Sequence, residues 1–148
     1  TAEDACVPLA LEPMPPESAS DWTFLHTLDE TLELIDRIGS PWLKIAFDTY
    51  HFGHDPGVLD RIPELVPRIG LVQLADAAGP PSDEQDRFPL GRGNLPLDEI
   101  VGRLRAAEYD GAWEVELMGP EIEVSEYHVL LRQTVDAFHE LTGMGATP

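Results

Sequence analysis

Four apolar runs in this 148-residue chain close on oxygen-bearing side chains: Leu9-Ala10-Leu11-Glu12, Ile45-Ala46-Phe47-Asp48, Leu71-Val72-Gln73 and Trp113-Glu114-Val115-Glu116. If each run is a parallel strand, Glu12, Asp48, Gln73 and Glu116 arrive together at the carboxyl end of one sheet, where parallel α/β folds build their sites. Three carboxylates brought that close repel one another by several kcal/mol at low effective dielectric, and a cation between them removes the penalty. Oxygen donors with little sulfur or imidazole suit a hard, six-coordinate divalent metal, Mn²⁺ or Mg²⁺ with Co²⁺ as an alternative, and disfavour structural zinc. Glu114 points to the same face of its strand as Glu116 and competes with it for the role.

The histidines divide by position. His51 stands three residues after Asp48, just past a strand end, where a neutral imidazole can bind substrate or carry a proton. His54 lines the following loop, and His26, His128 and His139 fall on or beside helices as surface or core residues. Arg87 and Arg92 are two of few cations near a strongly negative region, so each can clamp an anionic or polyhydroxylated substrate or simply compensate charge. Gly91-Arg92-Gly93 is too short for a phosphate-binding fingerprint, and the chain holds no nucleophile elbow, Walker lysine loop or redox cysteine pair.

The elements that must position these residues can be read along the chain. Ala5 to Leu11 reads as a strand, stopped by the prolines that run from Pro13 to Pro16. From Thr27, Leu28, Leu32, Ile35 and Ile38 recur at helical spacing, with Asp29 and Glu30 in the first turn and Gly39 past the end. Pro41 to Phe47 is a continuously apolar strand apart from Lys44, the pattern of a parallel strand covered on both faces. A shorter helix over Val58 to Val66 tolerates Pro63, and Ile69 to Ala75 is the third strand. Residues 77 to 93 form a long loop rich in Gly, Pro, Asp, Glu and Ser. Asn94 is expected to cap a helix built on Leu97, Ile100, Val101 and Leu104 that ends near Tyr109-Asp110-Gly111. Ala112 to Met118 is the fourth strand, and Ser125 to Leu141 a final helix with Val129, Leu130, Val135, Phe138 and Leu141 inside.

Strand and helix thus alternate four times, which implies right-handed crossovers and a parallel sheet: half of an eight-fold barrel, in a single domain over 1–148. The length supports one core. A net charge of −19, from 28 acidic against 9 basic residues, argues against nucleic acid as a partner. The single cysteine, Cys6, excludes an internal disulfide and is read as a buried small hydrophobe in a reducing, cytoplasmic protein. No apolar run approaches the roughly 18 to 20 residues of a membrane span, so no membrane partner is expected. Beginning at Thr1 and passing almost at once into a strand, the chain reads as a fragment.

Taken in order, Leu9-Ala10-Leu11-Glu12-Pro13, Phe47-Asp48-Thr49-Tyr50-His51-Phe52, Val72-Gln73-Leu74-Ala75-Asp76, Arg87 with Gly91-x-Gly93, and Tyr109-Asp110-Gly111 before Val115-Glu116 resemble the carboxyl-terminal half of the xylose isomerase-like TIM-barrel superfamily. The resemblance implies an α/β fold consisting of the last four β/α units, and an enzyme. It implies Glu12, Asp48, Gln73 and Glu116 as metal ligands, Glu12 and Glu116 as the acid and base at a substrate carbon, and His51 and Arg87 as holders of substrate oxygens. The implied activity is isomerase or epimerase chemistry on a small sugar or keto-polyol. A lyase of the 3-dehydroshikimate dehydratase type shares the first proton abstraction, and a non-catalytic fragment of the fold is the third reading. Many members carry histidine where this chain has Gln73, a departure that weakens the epimerase assignment more than metal binding. The first four β/α units are absent, and an open half-barrel leaves two sheet edges and one face to be covered, by a missing amino-terminal half or a second copy.

Overall fold

In a computed structural model, which describes residues 1–19 and 21–145, the four runs become one sheet in the order β1-β2-β3-β4, every neighbour parallel. The strands are β1 (Leu9–Leu11), β2 (Leu43–Asp48), β3 (Ile69–Leu74) and β4 (Ala112–Val115). The helices are α1 (Ala2–Ala5), α2 (Pro16–Ala19), α3 (Leu28–Ile38), α4 (Thr49–Phe52), α5 (Val58–Leu65), α6 (Leu97–Ala106), α7 (Pro120–Glu123) and α8 (Tyr127–Thr142), with a 3₁₀ turn at Val66–Arg68. The alternation expected from the sequence is therefore present, as a parallel half-barrel.

Packing follows the two-residue period of the strands. Ile45, Phe47, Val72 and Leu74 lie in one buried cluster with Ile62, Leu65, Ile100 and Leu104 from α5 and α6. The opposite, concave face alternates with them and carries Ala10, Lys44, Leu71, Gln73 and Glu114, of which Ala10 and Glu114 are exposed. Register then decides what meets at the carboxyl end: Asp48 is opposite Gln73, and Gln73 is opposite Glu114. The ladder runs one step past β4, where the Glu116 amide donates to the Leu74 carbonyl at 3.1 Å.

The α3 boundaries are written in its own residues. Thr27 Oγ1 accepts from the Glu30 amide while Glu30 Oε2 accepts from the Thr27 amide, and Gly39 ends the helix at φ 68°. The start of the chain departs from the strand expected over Ala5 to Leu11. Thr1 and Asp4 form the same reciprocal cap, which folds Ala2–Ala5 into a helical turn, and Pro8 cannot donate to a ladder, so only Leu9–Leu11 pair. Cys6 consequently sits in the left-handed region at φ 52° and is exposed, not buried.

Two other expectations shift for local reasons. Asn94 does not cap α6; its amide and side chain donate to Ala77 O and Ala78 O at 2.8 and 3.1 Å, and Pro96 takes the cap position. Val129 and Val135, expected inside, are 37% and 49% exposed, because α8 flanks the terminal strand β4 and has sheet on one side only. Leu130 is buried and Phe138 packs edge-on against Trp113, so the helix docks through a narrower stripe than its pattern suggests. No helix among the described residues is long and apolar enough to cross a membrane.

Candidate functional site

The long β3–α6 connection is folded onto the sheet. Asp76 and Phe88 exchange backbone hydrogen bonds at 3.0 and 2.7 Å, and Gly93 approaches Asp76 and Ala77 so closely that a Cβ there would collide with them. The effect is to bring Gln85 and Arg87, 4% and 2% exposed, over the carboxyl ends of the strands.

Asp48 ends β2 with no exposed surface, and both of its oxygens are engaged. Oδ1 accepts from the Tyr50 amide at 2.8 Å, capping α4, and Oδ2 accepts from Arg87 Nη2 at 2.7 Å. The same Arg87 nitrogen is 3.3 Å from Glu116 Oε1, its Nη1 donates to Gln85 Oε1 at 2.6 Å, and its guanidinium stacks over the Tyr50 ring at 4.5 Å. Gln73 donates through Nε2 to Glu116 Oε2. Thr49 joins the two central strands, its hydroxyl accepting from Ala75 N at 2.9 Å and donating to Ala75 O at 2.8 Å.

On the β1 side the balance of donors and acceptors reverses. His51 Nε2 lies 3.4 Å from Glu12 Oε1 and 3.7 Å from Asp48 Oδ2, and one ligand atom from each of Glu12, Asp48 and His51 fall within 4.8 Å of one another. Among the described residues, Glu12 Oε1, His51 Nε2 and Gln73 Oε1 are buried side-chain atoms with no hydrogen-bond partner. Buried acceptors without donors are costly and are satisfied by a cation. Three carboxylates (Glu12, Asp48, Glu116) against one guanidinium leave two negative charges uncompensated, the charge one divalent ion carries. The donor set therefore fits a divalent metal, with a nitrogen ligand from His51 beside the oxygens.

Burial sets the electrostatics. It pushes the Asp48 carboxyl above the ordinary carboxylate range, with Arg87, His51 and the Tyr50 amide pulling the other way. Glu116 is raised for the same first reason, and the charges of Asp48, Glu12 and Glu114 add to the rise while Arg87 opposes it. Away from the cluster, burial pushes the Tyr109 phenol up to about 12, and its hydroxyl donates to Ala112 O at 2.7 Å.

All six residues singled out in the sequence, Glu12, Asp48, His51, Gln73, Arg87 and Glu116, belong to this one cluster. Glu114 is exposed and Arg92 is exposed. Sequence reasoning missed Ser18, Tyr50 and Gln85. Gln85 lies two residues before Arg87 and could have been noticed there, whereas nothing around Ser18 distinguishes it from the rest of a proline-rich stretch of sequence.

A half-barrel of parallel β/α units with carboxylates gathered at its strand ends defines a class, and comparison with known proteins gives it a family. The family model of the xylose isomerase-like TIM barrel matches residues 1–138, and the chain belongs to that family. It is 32% identical over 132 residues to a D-psicose 3-epimerase of Enterocloster bolteae, covering 84% of this chain and 40% of that protein. A solved structure of a protein from Sinorhizobium meliloti 1021 superposes with a TM-score of 0.82 at 28% identity, covering 95% of this chain and 52% of the other. The IolI protein, solved with a zinc atom bound, shares the fold with a TM-score of 0.80 at 18% identity over 96% of this chain and 51% of its own. The chain thus spans about half the length of these relatives, or less.

Proposed function

We propose that this chain is the carboxyl-terminal half, and a single domain, of a divalent-metal-dependent sugar isomerase or epimerase that abstracts a proton beside a carbonyl of a small sugar or keto-polyol. The observation that carries the reading is the set of buried, unpartnered atoms of Glu12 and His51 facing Asp48, in a family whose relatives include a ketose epimerase and a zinc-binding protein. Glu12, Asp48 and His51 would hold the metal, with Gln73 through its free Oε1 and Glu116 completing the shell. When bound, a divalent metal polarises vicinal carbonyl and hydroxyl oxygens and makes the adjacent C–H more acidic; Mn²⁺ or Mg²⁺ suits the oxygen donors, and the imidazole of His51 also admits Co²⁺ or Zn²⁺.

The chain's own residues divide the remaining work. Asp48 and Arg87 are fixed by their mutual ion pair and hold the site's shape. Glu12 and Glu116 are the acid and base pair: their side chains are 25% and 27% exposed, open to a substrate while still anchored at strand ends. Glu116, its carboxyl pushed up by burial, is placed to take a proton from carbon and to give one back. Arg87, already between Asp48 and Glu116, can add a donor to a substrate oxygen through its unpartnered Nε.

The reading includes a cover for the sheet. Leu9 is 57% and Val7 56% exposed at one edge, and Val135 at the other is 49% exposed, so four further β/α units or a second copy belong over these edges and the concave face. A compact, stable monomer of this chain alone in a sizing experiment would overturn that part. The soluble, cytoplasmic setting expected from the lone cysteine belongs to the same proposal.

Glu116→Gln in the full-length protein tests the chemistry. Turnover of a ketose substrate should fall by about 10²- to 10⁴-fold with the fold retained, and undiminished turnover would remove Glu116 from its role. Proton NMR in deuterated buffer separates the chemistries, since epimerisation leaves deuterium on carbon at otherwise unchanged composition. Loss of water would instead favour the lyase, to which Gln73 in place of histidine points.

A further inference from the structure

Arg87 is the largest fully buried side chain among the described residues. A guanidinium enclosed in this way commonly grips a carboxylate through two parallel bonds. Here that fork is blocked: Asp48 Oδ1 is taken by the Tyr50 amide, so Arg87 reaches Asp48 through Nη2 alone. The Tyr50 ring lies over the guanidinium and sets its plane, but a stacked ring does not stop it turning within that plane. Gln85 does. Its Oε1 accepts from Arg87 Nη1 at 2.6 Å, and its backbone carbonyl accepts from the Arg87 amide at 2.8 Å, so one residue holds Arg87 at both ends. The orientation of the Gln85 amide is itself decided by its neighbours. Nε2 donates to the Ser18 carbonyl at 2.6 Å and to the Ser82 carbonyl at 3.3 Å, and a reversed amide would set oxygen against both carbonyls and N–H against the guanidinium.

From this we propose that Gln85 is a positioning residue that fixes the in-plane orientation of the Arg87 guanidinium, so that Nη2 stays on Asp48 and Glu116 and the unpartnered Nε is kept for a substrate oxygen. The inference rests on the reading of Arg87 as a holder of substrate oxygens and adds the group that aims it. Gln85 is 4% exposed and adopts φ 54°, a left-handed conformation unusual for a residue with a Cβ, and that backbone turn is what points its amide inward between Ser18 and Arg87. The arch it belongs to is seated on the same ring that stacks on Arg87, since the Ser82 amide donates to the Tyr50 hydroxyl at 3.0 Å. Ser18 carries the connection to the other flank: its hydroxyl donates to the Pro15 carbonyl at 3.0 Å and lies 3.3 Å from His51 Nδ1. One buried amide thus ties the segment after β1 and the β3–α6 connection to a single guanidinium.

Arginine side-chain ¹⁵N NMR on the full-length, metal-free protein tests the orientation directly, with Arg87→Lys identifying the signal. The expected result is separate Nη1 and Nη2 resonances, the mark of a guanidinium that does not turn; one averaged signal in the parent protein would overturn the proposal whatever any variant does. Gln85→Met keeps the shape without the acceptor and should merge the two resonances, whereas Gln85→Glu keeps an acceptor for Nη1 and should leave them apart. Resonances that stay separate in Gln85→Met would likewise overturn it. In turnover of a ketose, Gln85→Met should raise KM by about 10- to 100-fold with a smaller change in kcat, and should add little when combined with Arg87→Lys, because both act through one group. Losses that multiply in the double variant would make Gln85 a support for the loop alone and sink its link to Arg87. If Gln85→Met merges the resonances but neither it nor Arg87→Lys moves KM, the positioning stands and the reading of Arg87 as a substrate holder falls instead.

Discussion

The two central strands and the two edge strands deliver the same kinds of side chain to the same rim, yet they deliver them differently. From β2 and β3 come Asp48 and Gln73, which are buried, with Asp48 bonded through both oxygens. From β1 and β4 come Glu12 and Glu116, whose side chains keep about a quarter of their surface. A central strand has neighbours on both sides and loops packed over its end, so the polar group there is enclosed and has to find its partners inside the site. An edge strand lacks one neighbour, and its terminal side chain can stay partly open. The same sheet therefore makes rigid groups in the middle and accessible ones at the flanks, a division that suits scaffolding on one hand and proton transfer on the other.

The sharpest way to break this contrast is to remove the central carboxylate. Asp48→Ala leaves the buried Arg87 guanidinium with the longer Glu116 contact as its one remaining ion pair among the described residues, and urea unfolding of the metal-free protein should show a loss of about 3–5 kcal/mol. A loss below ~1 kcal/mol would mean the centre is no more rigid than the edges. Next comes Thr49→Val, which keeps shape but leaves the buried amide and carbonyl of Ala75 without the hydroxyl they share; the expected cost is about 1–3 kcal/mol in the same measurement. At the edge, Glu12→Gln should change metal-free stability by no more than about 0.5 kcal/mol. In that variant the rise in melting temperature on adding Mn²⁺ should shrink or vanish, because only binding to the folded state stabilises it.

The smallest expected effect is a pH dependence at the β4 flank. Glu116 is raised from an ordinary 4.5, so the folded state binds its proton at a higher pH than the unfolded state does. Its contribution to stability is complete below that ordinary value and is lost as pH rises through the raised one. Metal-free protein melted between pH 8 and pH 5 should gain stability on acidification, and Glu116→Gln should gain less. An identical gain in the variant would place the effect in other carboxylates. Glu30 cannot supply it, since backbone hydrogen bonding from His26, then its bond with Thr27, lowers its carboxyl.

How much of this was legible differs from element to element. The α3 helix could be read to the residue, because Thr27, Glu30 and Gly39 decide its ends through contacts within four positions. The first strand was misread for the same reason: Thr1 and Asp4 carry a local cap as strong as that of α3, and the apolar run from Ala5 hid it. Four of the rim residues could be picked out as the last polar group after an apolar run, and His51 by its three-residue distance from Asp48. The placement of Arg87 inside the cluster, against both Asp48 and Glu116, depends on how a loop of some twenty residues crosses the sheet. Ser18 was invisible, since its importance lies in partners 33 and 67 positions away.

The sequence by itself determined the alternation of strand and helix, the parallel sheet and the list of side chains that end its strands, because periodicity, caps and turn residues act over a few positions. Only the tertiary structure decided the register that sets Asp48 against Gln73, the side of the cluster on which a cation is wanted, and which nitrogen of His51 is free. Those depend on contacts between segments distant in sequence, where burial forces each donor and acceptor to find a partner that no local pattern records.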